Sequence, residues 1–167
     1  MWSNVKKYFE SQPERLQIAR ILIENGLSVK TGRIYVNDIE VPPIRVARAA
    51  GVDRRTVKET VNAILANREL RLIFHELRCA GHSLKEVARH IGLGVIEITP
   101  SDARIPGILA GAATVLAKND ISIRQAIVDD PELSPEPKLT LITEKKIPGE
   151  LISEVLKIQG VVKVSLY

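Results

Sequence analysis

The 167-residue sequence predicts an α+β chain of two domains, residues 1–92 and 93–167. Three observations predict it. Residues 32–43, GRIYVNDIEVPP, switch to a period of two between stretches whose apolar residues recur at helical spacing. From Pro43 to Leu65, PIRVARAAGVDRRTVKETVNAIL reads as two short helices joined by a tight turn. The back half repeats itself, with a strand, an Ile-Pro-Gly loop, a helix, a turn and a strand occurring twice.

Composition bounds the class. With 45% hydrophobic and 26% charged residues the chain is globular, and with 4% aromatics its cores must be aliphatic. One cysteine excludes an internal disulfide framework and fits a reducing cytosol. No apolar run is long enough to span a membrane. The opening MWSNVKKYFE has no apolar stretch behind its lysines and is not a secretory signal, so the expected location is cytoplasmic. Charge is uneven: residues 1–93 hold 16 Lys/Arg against 10 Asp/Glu, residues 94–167 hold 8 against 10. Any polyanion contact is therefore expected at the front.

The elements follow in order. Trp2, Val5 and Phe9 share one side of a first helix of one or two turns. Pro13 opens a scaffold helix carrying Leu16, Ala19, Leu22 and Ile23, and Gly26 ends it. Asn37-Asp38 makes a two-residue turn that pairs Val36 with Ile39 and Ile34 with Val41, putting all four on one face. Pro42-Pro43 then starts the next helix. Ala47 sits where two helices approach, Gly51 takes the positive φ of the turn, and Val52 plugs the core. Asp53 caps the second helix, and Val57 packs it back on the first. After it, Leu70, Leu72 and Phe74 alternate like a strand, while Leu70, Ile73, Phe74 and Leu77 also fit a helix; we read a short strand joining the hairpin. In CAGHSLKEVARHIGLG, Ser83 and Glu86 form a capping box for a connecting helix with Leu84, Val87, Ala88 and Ile91 on one face. Gly92-Leu93-Gly94 marks the domain boundary.

In the back half, VIEIT, Ile105-Pro106-Gly107, a helix and ISIRQAIV make the first unit of the repeat. KLTLIT, Ile147-Pro148-Gly149, a helix and VVKVSL make the second. Ile108, Leu109, Ala112, Val115 and Leu116 line the first helix; Leu151, Ile152, Val155 and Leu156 line the second. DDPELSPEP turns the chain between them. Two such units describe a ferredoxin-like βαββαβ sandwich with one antiparallel sheet and both helices on one face. The other face needs cover, most cheaply from a second copy of the chain.

The spacing of Ala47, Gly51, Val52 and Val57 resembles the helix-turn-helix of DNA-binding regulators, and the preceding hairpin makes it a winged variant. That motif puts the start of its second helix in the major groove. Arg54, Arg55, Lys58, Glu59 and Asn62 project outward there, and arginine, lysine and asparagine are the side chains that reach guanine, phosphate and adenine. Arg45 and Arg48 on the preceding helix would touch the DNA backbone; Thr56 would donate to phosphate or pack. The bland alternative is a solvated helix face.

The span from Val95 to Tyr167 resembles an ACT domain, a regulatory module that binds amino acids or similar metabolites. VIEIT, the loop into Pro106-Gly107, the helix ending LAKND and the strand opening ISI carry the resemblance. It implies a ligand between that loop and a neighbouring subunit's strand. Many members read Asp-Arg-Pro-Gly where this chain has Arg104-Ile105-Pro106-Gly107, with Asp102 two positions earlier. Arg104 would then pair with the carboxylate of an amino acid and Asp102 with its ammonium. Gly107 allows close approach, flanked by Ile105, Pro106 and Ile108, and the amides at the helix start favour an anion. Ser122 and Gln125 offer further polar contacts. Gly111 and the alanines leave the first helix thin, with room for a subunit or ligand. The whole chain resembles predicted archaeal regulators of amino acid metabolism, an N-terminal helix-turn-helix followed by an ACT domain. The resemblance implies a homodimer or higher homo-oligomer whose partners are DNA and an amino acid effector. The other class that fits is a regulatory subunit of an amino-acid biosynthetic enzyme, with its front domain docked on protein.

Other chemistry is not expected. His75, Cys79, His82 and His90 cluster in sequence, but their spacing fits no standard zinc module, and no cofactor is expected. No phosphate-binding loop, dinucleotide fingerprint or nucleophile elbow occurs, so no catalytic residue is assigned and an enzyme is not expected.

Overall fold

The computed structural model describes residues 1–167. They form two compact units, Met1–Gly81 and His82–Tyr167. Each holds one antiparallel sheet, so the α+β class holds.

In the first unit, α1 (Trp2–Phe9) buries Val5 and Phe9, and α2 (Pro13–Glu24) buries Ile18, Ala19, Leu22 and Ile23. Gly26, at φ +61°, turns the chain out of α2. The sheet has three strands, β1 (Leu27–Lys30), β2 (Arg33–Val36) and β3 (Ile39–Val41), in that order. The hairpin has the expected register, Val36 opposite Ile39 and Ile34 opposite Val41, with Asn37 at φ +53°. Its four apolar residues do not share one buried fate: Ile34 is buried, but Ile39 is 70% exposed. The third strand is not the expected one. It comes from Leu27–Lys30, whereas residues 68–76 form a helix, α5 (Arg68–Glu76). Asn67 decides this, because its side chain accepts from the Leu70 N–H and caps the helix start. Leu70 and Phe74 then fall four residues apart on the buried face and Leu72 points to water, which a strand could not arrange.

Between β3 and α5 lie α3 (Pro43–Ala50) and α4 (Arg54–Ala66). The segment leaving α5 is held down at two points. The Cys79 N–H donates to Asn37 Oδ1 at 3.2 Å, and Gly26 lies flat against the backbone of Arg78 and Cys79.

The second unit has β4 (Gly94–Pro100), α6 (Ile108–Lys118), β5 (Ile123–Val128), β6 (Leu139–Thr143), α7 (Leu151–Val155) and β7 (Val161–Leu166). The sheet order is β5-β6-β4-β7, all antiparallel, as a βαββαβ sandwich requires. Ile96, Ile98, Leu139 and Leu141 pack against Ile108, Ala112 and Leu116 of α6 and Leu151 and Val155 of α7. Leu109 and Leu156, expected in this core, are 45% and 44% exposed. Gly111 makes room for Ile158 of the same chain, which lies 3.0 Å from where a Cβ would stand.

Residues 83–91 do not form the expected connecting helix. Only a 3-10 turn forms, at Ala88–His90. Ser83 Oγ accepts from the Lys85 N–H, and Glu86 completes no capping box. Gln125 of β5 accepts from the Leu84 N–H and donates to the His82 carbonyl, pulling this stretch onto the sheet. Leu84, Ala88 and Leu93 pack there on Val95 and Ile142. The open face is thus covered, at those residues, by the chain itself rather than by a second copy. Residues 82–92, read with the front domain in the sequence, belong to the second compact unit.

A buried carboxylate fixes this cover. Lys85 Nζ lies 2.6 Å from Glu97 Oε1, whose side chain is 8% exposed. Burial pushes the Glu97 carboxyl up, but hydrogen bonds from Lys85 and Tyr167 outweigh it and hold the group below its usual range. The bond to Glu97 raises Lys85 against the opposing effect of burial. A depressed carboxyl stabilises above its unfolded pKa of about 4.3 and loses that contribution as pH falls through the folded value. A raised lysine stabilises below its unfolded pKa of about 10.4 and loses the contribution as pH rises through the folded value. The pair therefore contributes most between these limits. Lys85→Met is expected to cost about 1–2 kcal/mol at neutral pH, a charged hydrogen bond discounted for the partly exposed ammonium. Thermal unfolding should show the gap to the parent protein closing as pH falls below the usual carboxylate range, where Glu97 of the parent becomes protonated and its bond to Lys85 loses its charge.

Candidate functional site

The first candidate site is the pair α3–α4. Gly51 adopts φ +64° and ends α3, its N–H bonded to the Arg48 carbonyl. The Val52 N–H returns to the Ala47 carbonyl at 3.0 Å, closing the turn. Asp53 Oδ1 accepts from the Arg55 N–H at 2.6 Å and starts α4. Ala47, Val57, Val61 and Ile64 are buried, and these small and branched side chains let the helices approach.

The eight residues expected to contact DNA divide into two groups. Arg45, Arg48, Arg54, Arg55, Lys58 and Asn62 are exposed. None of the five cations among them forms an ion pair, although Arg15, Arg20, Arg33 and Arg78 of the same unit all do. Glu59 and Thr56 are tied back to α2: Glu59 pairs with Arg15 at 2.9 Å, and Thr56 Oγ1 donates to Glu14 at 3.4 Å. The start of α4 thus presents unneutralised positive charge, while its one outward carboxylate is engaged elsewhere. Arg45 lies beside the hairpin residues Val36 and Val41.

The second candidate site is the loop between β4 and α6. The Ser101 N–H donates to the Gly160 carbonyl at 2.8 Å. Asp102 Oδ1 accepts from the Arg104 N–H at 2.9 Å, and the Ile105 N–H donates to the Asp102 carbonyl at 3.1 Å. Ile105 tucks over Gly160, whose missing side chain makes the space. Gly107, at φ +93°, starts α6 with open space beside it. Asp102, Arg104, Ile105, Pro106, Gly107 and Ile108 are therefore gathered in one turn, with Ile108 buried and Arg104 exposed. Ser122 and Gln125 are not brought to it. Ser122 precedes the far end of β5, six residues from Val128 and so roughly 20 Å away along the strand. Gln125 is opposite Ile142, on the sheet face away from the helices, and is engaged with residues 82–84.

What sequence reasoning missed is a cavity of about 200 Å³ beneath the start of α6. Ile105, Gly107 and Ile108 line it together with Pro100, Val128 and Leu139. These come from four separated segments, and no local pattern marks them. No family model and no curated protein matches the sequence.

Solved structures similar to this chain include the Gly102Thr mutant of Rv3291c, at 15% identity over 92% of this chain and 89% of that one, TM-score 0.29. Escherichia coli AsnC is similar at 14% identity over 92% and 87% of the two chains, TM-score 0.27. The Pyrococcus furiosus transcriptional regulatory protein PF0864, a member of the AsnC family, is similar at 10% identity over 76% and 77%, TM-score 0.25. At these TM-scores the likeness decides neither fold nor function, which rest on the geometry of this chain.

No group of three or more His, Cys, Asp or Glu side chains is placed to hold a metal ion. His75 pairs with Glu76, and Cys79 Sγ donates to the Gly81 carbonyl. No helix is long and apolar enough to cross a membrane.

Proposed function

We propose that this chain is a ligand-responsive transcription regulator of amino acid metabolism. The first unit binds DNA through α3 and α4, and the second binds an amino acid at the β4–α6 loop. The observation that carries the reading is the start of α4, where a turn fixed by Gly51 and Asp53 presents Arg54, Arg55 and Lys58 without any carboxylate partner. Positive side chains at that end suit a major groove, and the arginines on α3 suit phosphates. Two copies of the chain would read two half-sites about one helical turn apart. The effector acts by binding one arrangement of the DNA-binding units better than another, since only such a difference shifts the equilibrium.

The test is a fluorescence-anisotropy titration of duplex DNA at several salt concentrations. Affinity is expected to fall linearly on a double-logarithmic salt plot, as counterions are released from neutralised phosphates. Absence of salt-sensitive binding, with and without each of the twenty amino acids, would overturn the reading.

A further inference from the structure

We infer that the first unit carries a ligand site of its own, a groove between the hairpin, α2 and α3 that takes an aliphatic monocarboxylate. The alkyl chain lies on an apolar floor and the carboxylate meets Arg45. This goes beyond the reading proposed above, whose effector belongs to the other unit. The floor is one face of the three-stranded sheet. Leu27 stands opposite Val36, and Val36 opposite Ile39, so the three side chains form a row across β1, β2 and β3. Val41 shares that face, two residues from Ile39 along β3. Ile21 of α2 and Val46 of α3 line the groove together with Leu27, Val36 and Val41. At about 410 Å³ it falls within the roughly 300–1,000 Å³ of small-molecule sites.

Burial falls off along this row. Leu27 and Val46 are buried, Val36 and Val41 are half-buried, and Ile39 is 70% exposed. The unequal fate of the hairpin's apolar residues is thus a gradient from a dry floor to a wet end, and an alkyl chain laid along it would take that end out of water. Charge decides the head group. Of the nine residues lining the groove only Asn25 and Arg45 have strongly polar side chains. Asn25 Nδ2 is spent on the Ile21 carbonyl at 2.9 Å. Arg45 is exposed and has no ion pair, so the groove offers one free cation and no carboxylate. A carboxylate gains a charged, bidentate partner there. An ammonium finds no counter-charge, which excludes amines and disfavours a zwitterionic amino acid, and a neutral alkyl compound leaves the guanidinium unused. A carboxylate on Arg45 would also withdraw that side chain from a DNA phosphate.

The experiment is isothermal titration of the full chain, without DNA, with butanoate, hexanoate, octanoate, octanol and octylamine. Because no DNA is present, the result does not depend on the proposed regulator reading. Each buried methylene is expected to improve Kd by up to about fourfold, so octanoate should bind roughly tenfold better than hexanoate. Octanol and octylamine should bind at least tenfold more weakly than octanoate. Arg45→Met keeps the aliphatic stem and removes the charge. It is expected to weaken octanoate more than tenfold with Tm unchanged, since Arg45 is exposed and unpaired. Ala49→Glu, at an exposed position lining the groove, is expected to do the same by repulsion and serves if the first variant folds poorly. Equal binding of octanol and octanoate would overturn the carboxylate class. Unchanged octanoate affinity in both variants would overturn the location. No octanoate binding, with a change in the sedimentation of Ala49→Glu alone, would assign the groove to a second copy and overturn the site, as would no binding of any carboxylate in the series.

Discussion

Gly26→Ala is expected to destabilise the first unit by about 2–5 kcal/mol, the sum of two separate penalties. Gly26 holds φ +61°, and a side-chain-bearing residue there costs about 1–2 kcal/mol. A Cβ would also stand 2.5 Å from both Cα and N of Cys79 and 2.7 Å from the Arg78 carbonyl carbon. These are backbone atoms that cannot swing aside, so overpacking adds about 1–3 kcal/mol. A unit of this size should lose roughly 10 °C or more in Tm. Gly32 is the control. It also has a positive φ, +81°, but nothing lies within 4 Å of its missing Cβ. Gly32→Ala should show the conformational penalty alone, and equal losses in the two variants would refute the clash.

The second large effect is on DNA. Arg54→Ala with Arg55→Ala is expected to weaken duplex binding by about a hundredfold or more, since a good base contact discriminates by about 1–3 kcal/mol. Both side chains are exposed and unpaired, so Tm should stay unchanged. The salt slope then tells what was lost. A drop of about one unit per residue marks phosphate contacts, whereas an unchanged slope with relaxed sequence preference marks base contacts. Glu59→Ala separates charge from position: it removes the partner of Arg15 on the other side of α4 and should leave affinity intact or raised. Unchanged affinity in the double arginine variant would sink the assignment of α4 as the reading helix.

The local features of this chain were legible where the chemistry is local. Gly51 and Asp53 determine the turn between α3 and α4 through a left-handed residue and a cap two residues long. Asn37 tolerates positive φ, and the hairpin register follows. The repeated Ile-Pro-Gly loops between alternating strands indicated the sheet of the second unit, because each half has the same strand–helix–strand order. Local pattern is a poor guide where distant residues decide. β1 is four residues long and includes Ser28, a buried hydroxyl that breaks the apolar pattern and has no hydrogen-bond partner. α5 is an exception, since its periodicity fits strand and helix alike and a local signal, the Asn67 cap immediately before it, resolves it. Residues 83–91 carry the letters of a capped helix, yet Gln125, some forty positions on, takes the Leu84 amide instead. Of the candidate effector site, the turn at Asp102–Gly107 was readable, but the cavity was not, because its walls meet only after β4, β5 and β6 have paired.

That pairing also governs how the second unit can be divided. β4 and β5, from one half of the repeat, never touch, since β6 lies between them; β6 and β7, from the other half, are likewise parted by β4. Each half is a comb with one missing tooth, and each missing tooth is supplied by the other. A protease cut in the segment 131–137 would therefore release two fragments that recognise each other through three strand pairings, β5–β6, β6–β4 and β4–β7. The sheet would become a bimolecular product whose yield rises with fragment concentration, and either fragment alone would offer its gap to another copy of itself.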